Sequence, residues 1–146
     1  MEQQRFPGTL DALEPIRKYV EATARSAGLD HKAVYKVCLA VDEIATNIVV
    51  HGYEEAGLQG DLKIGASVED DNLVIQLEDQ GKAYDPNLHL IPDAGDLSAP
   101  FESRKIGGLG IFLALDGVDD IHYKTTGKAN IHRFIIRLPH EREPEE

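Results

Sequence analysis

The fold is decided by one stretch in the first half of the chain, Val37-Cys38-Leu39-Ala40-Val41-Asp42-Glu43-Ile44-Ala45-Thr46-Asn47-Ile48-Val49-Val50-His51-Gly52-Tyr53. Its apolar residues recur at steps of three and four, which predicts a helix with one buried stripe. Glu43 and Asn47 are four residues apart, so they lie on one face beside that stripe. A carboxylate and a carboxamide so placed could share a hard cation such as Mg²⁺ with a water or hydroxyl. A solvated helix flank is the commoner meaning of a lone pair at this spacing.

The composition is that of a soluble globular protein with one domain. The chain has 146 residues, of which 42% are hydrophobic and 28% charged, so we expect one domain over residues 1–139 and a disordered acidic tail over residues 140–146. Lys and Arg number 15 against 26 for Asp and Glu, a net charge of −11. Such a surface repels a phosphate backbone, so we expect no direct nucleic-acid partner. It suits protein partners or a nucleotide whose charge is offset locally, although solubility alone also explains it.

Cysteine content and hydropathy indicate the compartment. The single cysteine, Cys38, allows no intrachain disulfide and no thiolate-rich zinc site, which favours a reducing cytoplasm. The N-terminus lacks the apolar run of a signal peptide. No segment approaches the roughly 18 to 20 apolar residues that span a bilayer. We therefore expect a cytoplasmic protein with no membrane partner.

Periodicity and turn residues predict the order of the elements. The predicted helices cover residues 11–27, 30–51 and 107–117, and the predicted strands cover residues 62–68, 73–77, 121–123 and 131–138. Asp11 is expected to cap the first helix, Gly28 to end it, and Gly52 to stop the second. Asp70-Asp71-Asn72 is expected to form the turn of a hairpin, and residues 5–7 to add a short edge strand. Residues 79–106 show no sustained period and predict a long loop.

This order predicts an α/β (α+β) two-layer sandwich. A mostly antiparallel mixed sheet of four to five strands would be covered on one face by three helices.

Two further polar features punctuate this framework. Asp79 leaves a buried strand two residues before Gly81, which could present a carboxylate to an amino group while the backbone approaches closely. An ordinary strand-ending turn uses the same residues. Gly107-Gly108-Leu109-Gly110 opens the third predicted helix, where free N–H groups and the helix dipole favour an anion. A flexible hinge is the alternative there, and the pattern is neither a P-loop nor G-x-G-x-x-G after a strand.

Taken in order, the three features resemble the N, G1 and G2 boxes of the GHKL ATPase superfamily, whose nucleotide-binding domain is the Bergerat fold. Within it, the chain resembles the anti-sigma-factor serine kinases of bacterial partner-switching systems over nearly its whole length. Three segments carry the resemblance: residues 42–53, residues 79–86 and residues 107–113.

The resemblance implies a role for each matching residue. Asn47 would bind Mg²⁺, which bridges the phosphates of ATP, and Glu43 would be the general base. Asp79 would accept a hydrogen bond from the adenine amino group, and Gly81 would give the base room. The remaining nucleotide-binding residues would be Gly108, Leu109 and Gly110 at the phosphates, Arg104 and Lys105 in a short lid that offsets phosphate charge, and Asn130 beside the adenine.

The function implied is an ATP-dependent protein serine kinase and anti-sigma factor. It would phosphorylate a serine on a STAS-domain anti-anti-sigma protein, bind a sigma factor when free of that protein, and form a homodimer. The first alternative is a nucleotide-gated binding module, an anti-sigma factor or adaptor that does no chemistry. A histidine-kinase catalytic domain shares the boxes but normally follows a phospho-acceptor hairpin, and a structural protein would leave the ordered boxes as coincidence.

Overall fold

One antiparallel sheet with two α-helices makes up the part of the chain that the computed structural model describes, residues 2–83 and 118–139. The strands lie in the order β1-β2-β3-β5-β4. In chain order the elements are β1 (Gln3–Pro7), α1 (Leu13–Ser26), α2 (His31–Asn47), β2 (Asp61–Glu69), β3 (Asn72–Asp79), β4 (Asp120–Thr125) and β5 (Asn130–Arg137).

Helix α1 begins two residues later than predicted, at Leu13. A 3-10 turn over Leu10–Ala12 contains Asp11, and no side chain caps either this turn or α1. The expectation that Asp11 caps the helix is therefore wrong, because the residue lies inside the turn instead of before it. The end is as predicted, since Gly28 has a φ of +98° and can adopt a conformation that ordinary residues avoid.

Helix α2 begins at a capped end and continues beyond its predicted stop. The Asp30 carboxylate accepts a hydrogen bond from the Ala33 N–H at 2.8 Å, which satisfies one free donor of the first turn. After Asn47 the chain winds wider into a π-helical segment, Ile48–Glu54. The prediction that Gly52 stops the helix is therefore wrong, because Gly52 lies within this segment.

The sheet follows the predicted hairpins. Asp70 and Asp71 have φ values of 51° and 66°, the positive values of a tight hairpin turn, and they join β2 to β3 in antiparallel register. The weakly indicated edge strand is present and runs from Gln3, pairing with β2. Strand β3 pairs on its other side with β5, which pairs with β4. All four pairings are antiparallel, so the described sheet is antiparallel and not mixed.

The core lies between the two helices and one face of the sheet. The helices contribute the predicted stripes of buried apolar residues, which pack against alternate residues of β2, β3 and β5. The main members of this cluster are Ile16, Val20, Ala24, Val34, Val37, Val41, Ile44, Ile48, Leu62, Ile64, Leu73, Ile75, Leu77, Phe134 and Ile136. The two-layer α+β sandwich is confirmed.

Some predictions fall outside the described residues. These are the third helix over residues 107–117, most of the long loop and the tail over residues 140–146, so two α-helices are described where three were expected. The division into one domain and a tail stays a prediction. Among the described helices, none combines the length and the apolar character that a membrane span requires.

Candidate nucleotide-binding site

The apolar face of the sheet ends in a polar row. Leu62, Asp79, Asn130 and Thr125 are neighbours across β2, β3, β5 and β4, and side chains in one row point to the same face. The rows before it carry Ile64, Leu77, Ile75 and Phe134, which face the helices. Asp79 is only 1% exposed. A carboxylate is thus buried at the edge of the core, on the helix side of the sheet.

Asn130 binds this carboxylate directly. Its amide nitrogen donates to Asp79 Oδ1 at 2.9 Å and to the Gly81 carbonyl at 2.9 Å. The Gly81 N–H also donates to Asp79 Oδ1, at 2.8 Å. On the other side, the Asn130 carbonyl oxygen accepts from the Thr125 hydroxyl at 2.9 Å. Both ends of the Asn130 amide are therefore occupied within the protein, which fixes the orientation of the Asp79 side chain.

These contacts leave the two oxygens of Asp79 unequal. Every hydrogen bond that the described residues donate to the carboxylate goes to Oδ1, so Oδ2 retains its capacity to accept from an amino group. Burial raises the pKa of Asp79, while the hydrogen bonds from Asn130 and Gly81 oppose that increase. The site therefore holds a partly desolvated acceptor of defined direction.

The end of β3 is attached to the π-helical segment through two glycines. The Lys82 N–H donates to the Gly52 carbonyl at 2.8 Å. A Cβ on Gly81 would lie 2.6 Å from that same carbonyl oxygen, closer than atoms can approach. Gly81 is therefore needed for backbone contact with the π-helical segment. Its expected role of giving the adenine room stays a prediction. This contact brings the π-helical segment, which continues α2, close to the strand end that carries Asp79.

Tyr53 makes a second attachment at the same place. Its side chain is 1% exposed, and its hydroxyl accepts from the Gln80 N–H at 2.9 Å and donates to the Asp61 carbonyl at 2.8 Å. The ring also lies against Gly8 and Gly60, where an added Cβ would come within 3 Å of ring atoms. Tyr53 thereby joins the π-helical segment to the start of β2 and to the residue after Asp79.

Glu43 and Asn47 lie on α2 in the turns before this attachment. Asn47 is 4% exposed, and its amide nitrogen has no hydrogen-bond partner of good geometry among the described residues. Glu43 is half-buried, and burial raises the pKa of its carboxyl; the nearby Asn47 amide opposes the increase and the charge of Asp42 adds to it. The unpaired atom of Asn47 is the amide nitrogen, a donor. Burying a donor without a well-aligned acceptor costs free energy, so its burial here calls for an explanation such as a bound ligand or water.

The structure brings together three of the predicted site residues, Asp79, Gly81 and Asn130. Asn47 and Glu43 lie on α2, which continues into the π-helical segment that contacts Lys82. The other predicted site residues, Arg104, Lys105, Gly108, Leu109 and Gly110, lie outside the described residues.

Sequence reasoning missed three residues of this region. Tyr53 and Thr125 hold Asp79 and Asn130 in place, and His132 is fully buried on the same face of β5, its ring 4.9 Å from that of Tyr123. The alternation Asn130-x-His132-x-Phe134-x-Ile136 is the signal that would have placed Asn130 and His132 inward.

Comparison with known proteins identifies the family of the chain. A model of the histidine kinase-like ATPase domain matches residues 6–136. The serine-protein kinase RsbW of Halalkalibacterium halodurans is 30% identical over 125 residues, which cover 84% of this chain and 74% of that protein. The chain belongs to this ATPase family, among its anti-sigma-factor serine kinases. RsbW of Bacillus cereus strain AH187 is 29% identical over 82% of the chain and 74% of its own length.

Solved structures of this kinase-like ATPase family share the fold. A Mycobacterium tuberculosis protein with RsbU and RsbW domains superposes with a TM-score of 0.62 at 17% identity, over 94% of this chain and 33% of that one. The present chain therefore spans about a third of that protein. The histidine kinase domain of a blue-light activated kinase from Erythrobacter litoralis gives a TM-score of 0.52 at 17% identity, over 88% of this chain and 60% of that one. Membership of the family makes the chain a protein kinase that uses ATP, as the sequence predicted.

Proposed function

We propose that the chain phosphorylates a serine of a STAS-domain anti-anti-sigma protein and, when free of that protein, binds and inhibits a sigma factor in the cytoplasm. The observation that carries the proposal is the fixed Asp79 carboxylate at a strand end that contacts the π-helical segment, which continues the helix bearing Glu43 and Asn47. The relatives named serine-protein kinase RsbW support the choice of serine as acceptor. A homodimer is part of the proposal, as the family resemblance implies.

Asp79 would select the base of the nucleotide. Its Oδ2 would accept a hydrogen bond from the adenine amino group, while Asn130 and Gly81 hold Oδ1. Guanine presents a carbonyl oxygen at the corresponding position, and two acceptors repel. Asn130 would therefore act by positioning Asp79, with no free donor left for the base.

Asn47 would bind Mg²⁺. The chemistry of the available groups fits this ion, since an amide oxygen and a nearby carboxylate are hard oxygen ligands. Mg²⁺ usually keeps several waters and needs only one or two protein ligands together with substrate phosphates. When bound, the ion would neutralise charge on the phosphates.

The phosphates themselves would lie against residues beyond those described. Gly108, Leu109 and Gly110 would offer backbone N–H groups, and Arg104 and Lys105 would offset negative charge. These assignments rest on the family resemblance.

Glu43 would act as the general base. Its carboxylate would take the proton of the serine hydroxyl as the serine oxygen forms a bond to the γ-phosphorus of ATP. The bond from that phosphorus to the β-γ bridging oxygen breaks, and ADP leaves. A raised pKa brings a carboxylate closer to the pH at which it works, which makes it a more effective base.

The test is transfer of labelled γ-phosphate from ATP to a purified STAS-domain protein. We expect Glu43→Gln to reduce kcat by about 100-fold or more while ATP still binds. Glu54→Gln is the control, because Glu54 is an exposed carboxylate in the adjoining π-helical segment. If Glu43→Ala keeps phosphotransfer, Glu43 is not the general base. If the wild-type chain transfers no phosphate and Glu43→Ala keeps partner switching, the chain is the nucleotide-gated binding module.

A further inference from the structure

The exposed face of α2 carries a set of residues that the proposed chemistry does not use. Lys32, Tyr35, Lys36 and Leu39, here termed the α2 docking face, precede Glu43 on the same helix. At 3.6 residues per turn, these four and Glu43 lie within about 100° of one another around the helix axis. The opposite side of α2 is buried in the core.

Two large apolar side chains on this face are exposed to solvent. Tyr35 is 65% exposed and Leu39 is 40% exposed. They lie one helical turn apart, so their side chains are neighbours. Neither belongs to the hydrophobic core or to the residues packed against it. A paired apolar patch on a helix surface is typical of a surface that another protein covers.

The lysines of the α2 docking face differ from the other cations of the helical layer. Arg17, Lys18 and Arg25 on α1 each form an ion pair with a carboxylate. Lys32 and Lys36 form none with the described residues. In a chain of net charge −11, two such lysines beside an apolar pair favour an acidic partner.

We propose that the α2 docking face binds the protein substrate. The matching surface of the substrate would be an apolar patch with at least one carboxylate, close to the acceptor serine. The inference rests on the proposed kinase function. The acceptor hydroxyl must come within hydrogen-bond reach of Glu43. At 1.5 Å per residue, Leu39 and Tyr35 lie only about 6 and 12 Å from Glu43 along the helix. A protein interface of about 800 Å² per partner extends further than that, so it covers both.

The first test separates docking from chemistry. We expect Leu39→Glu to raise the KM for a STAS-domain protein by about tenfold, with kcat and the Kd of ATP unchanged. Leu58→Glu is the matched control, because Leu58 is 47% exposed and lies in the loop before β2. An unchanged KM in Leu39→Glu, or an equal increase in both variants, would overturn the proposal.

The second test compares two double variants that change the net charge by the same amount at different places. The double variant Lys32→Glu and Lys36→Glu should raise the same KM and weaken its dependence on salt. Lys63→Glu with Lys124→Glu changes the net charge equally on the sheet, and it should leave the KM unchanged. Equal effects of the two double variants would show that only overall charge matters, against a local docking face.

A third measurement does not depend on disrupting the helix. A photo-crosslinking amino acid at position 35 should capture the STAS-domain protein, and one at position 58 should not. Capture from position 58 alone would overturn the proposal. If the wild-type chain neither binds ATP nor transfers phosphate, the proposed function itself fails. If transfer is normal, the KM is unchanged in Leu39→Glu and position 35 captures nothing, only the docking face is ruled out.

Discussion

Asn130 helps decide which oxygen of Asp79 retains its capacity to accept a further hydrogen bond. It donates to Asp79 Oδ1 and to the Gly81 carbonyl, and Thr125 holds its own carbonyl oxygen. The hydrogen bond from Asn130 lowers the pKa of a carboxyl that burial raises. Without that bond the charged form of Asp79 loses stabilisation.

Asn130→Ala should therefore move the pH dependence of ATP binding. ATP affinity is expected to fall as the pH drops through the Asp79 pKa, since a protonated Oδ2 no longer accepts from adenine. In Asn130→Ala that decline should occur at higher pH. At neutral pH the free energy of ATP binding should be less favourable by about 1 to 3 kcal/mol. Calorimetric titrations over a pH series measure both effects. Asn72→Ala, at the opposite end of β3, is the control, and a wild-type pH curve in Asn130→Ala would contradict the positioning role.

The partly buried carboxylate of Glu43 lowers the stability of the folded protein when it is ionised. Burial raises its pKa, so the folded protein binds the proton more tightly than the unfolded chain does. Stability therefore falls as pH rises from the ordinary glutamate pKa to the raised one, and the cost is fully present above that range.

Glu43→Gln should accordingly raise the Tm at neutral pH and leave it unchanged below the ordinary glutamate pKa. The wild-type kcat should fall on the acid side at a pH above that pKa, because the base must be ionised. Thermal melts and kcat profiles over pH make these measurements, with Asp11→Asn as an exposed control. A lower Tm in Glu43→Gln at neutral pH would show that the carboxylate stabilises the fold.

At the scale of elements, the contact between β3 and the π-helical segment joins the two halves of the site. It uses the Gly52 carbonyl, the Lys82 N–H and the absence of a side chain on Gly81. The two glycines are not equivalent. A Cβ on Gly81 would lie 2.6 Å from the backbone oxygen of Gly52, whereas one on Gly52 would find its nearest neighbour at 3.4 Å.

Gly81→Ala and Gly52→Ala should therefore have different effects. Gly81→Ala is expected to destabilise the fold by about 1 to 3 kcal/mol through overpacking, and to weaken ATP binding because Asp79 moves with the strand end. Gly52→Ala should change stability by less than about 1 kcal/mol, since alanine fits a helix better than glycine. Urea denaturation of both variants makes the comparison. Equal destabilisation would show that the contact does not depend on Gly81.

The elements also show what local sequence patterns can predict. Alternation in residues 62–68 and 73–77 and the acidic turn between them specify the β2–β3 hairpin, because neighbours in sequence form it. The helix end was misplaced for the same reason. Gly52 has the local signature of a helix stop, yet its role is set by Lys82, which is 30 residues further along the chain.

At the scale of the whole molecule, the pairing of β3 with β5 assembles the site. It places Asp79 opposite Asn130, which lies 51 residues away in sequence. Local periodicity contains no information about such a pairing. The family resemblance therefore named Asp79 and Asn130 separately but did not predict the hydrogen bond between them. The structure shows that its amide is already occupied. The predicted architecture was correct because the order of amphipathic elements leaves few ways to cover one sheet face.

Ligand binding should raise the Tm of the whole domain. Comparing different ligands should separate the contribution of the metal ion from that of the base. A ligand that binds only the folded state at about 100 times its Kd adds about 2.7 kcal/mol, which corresponds to a Tm increase of about 5 to 10 °C for a domain of this size. ATP with Mg²⁺ should give this shift, and ATP with EDTA should give less, because Asn47 then has no ion to bind. GTP with Mg²⁺ should also give less, since guanine has a carbonyl oxygen where adenine presents its amino group to Asp79 Oδ2.

Variants of the two residues should remove the two contributions separately. Asn47→Ala should make the shifts with Mg²⁺ and with EDTA equal, and Asp79→Asn should lose the preference for ATP over GTP while keeping its dependence on Mg²⁺. The two side chains lie on separate elements joined through Gly52 and Gly81, so each contribution depends on a different part of the fold. Equal stabilisation of the wild-type chain by ATP, GTP and ATP with EDTA would contradict the site assembled from Asn47 and Asp79.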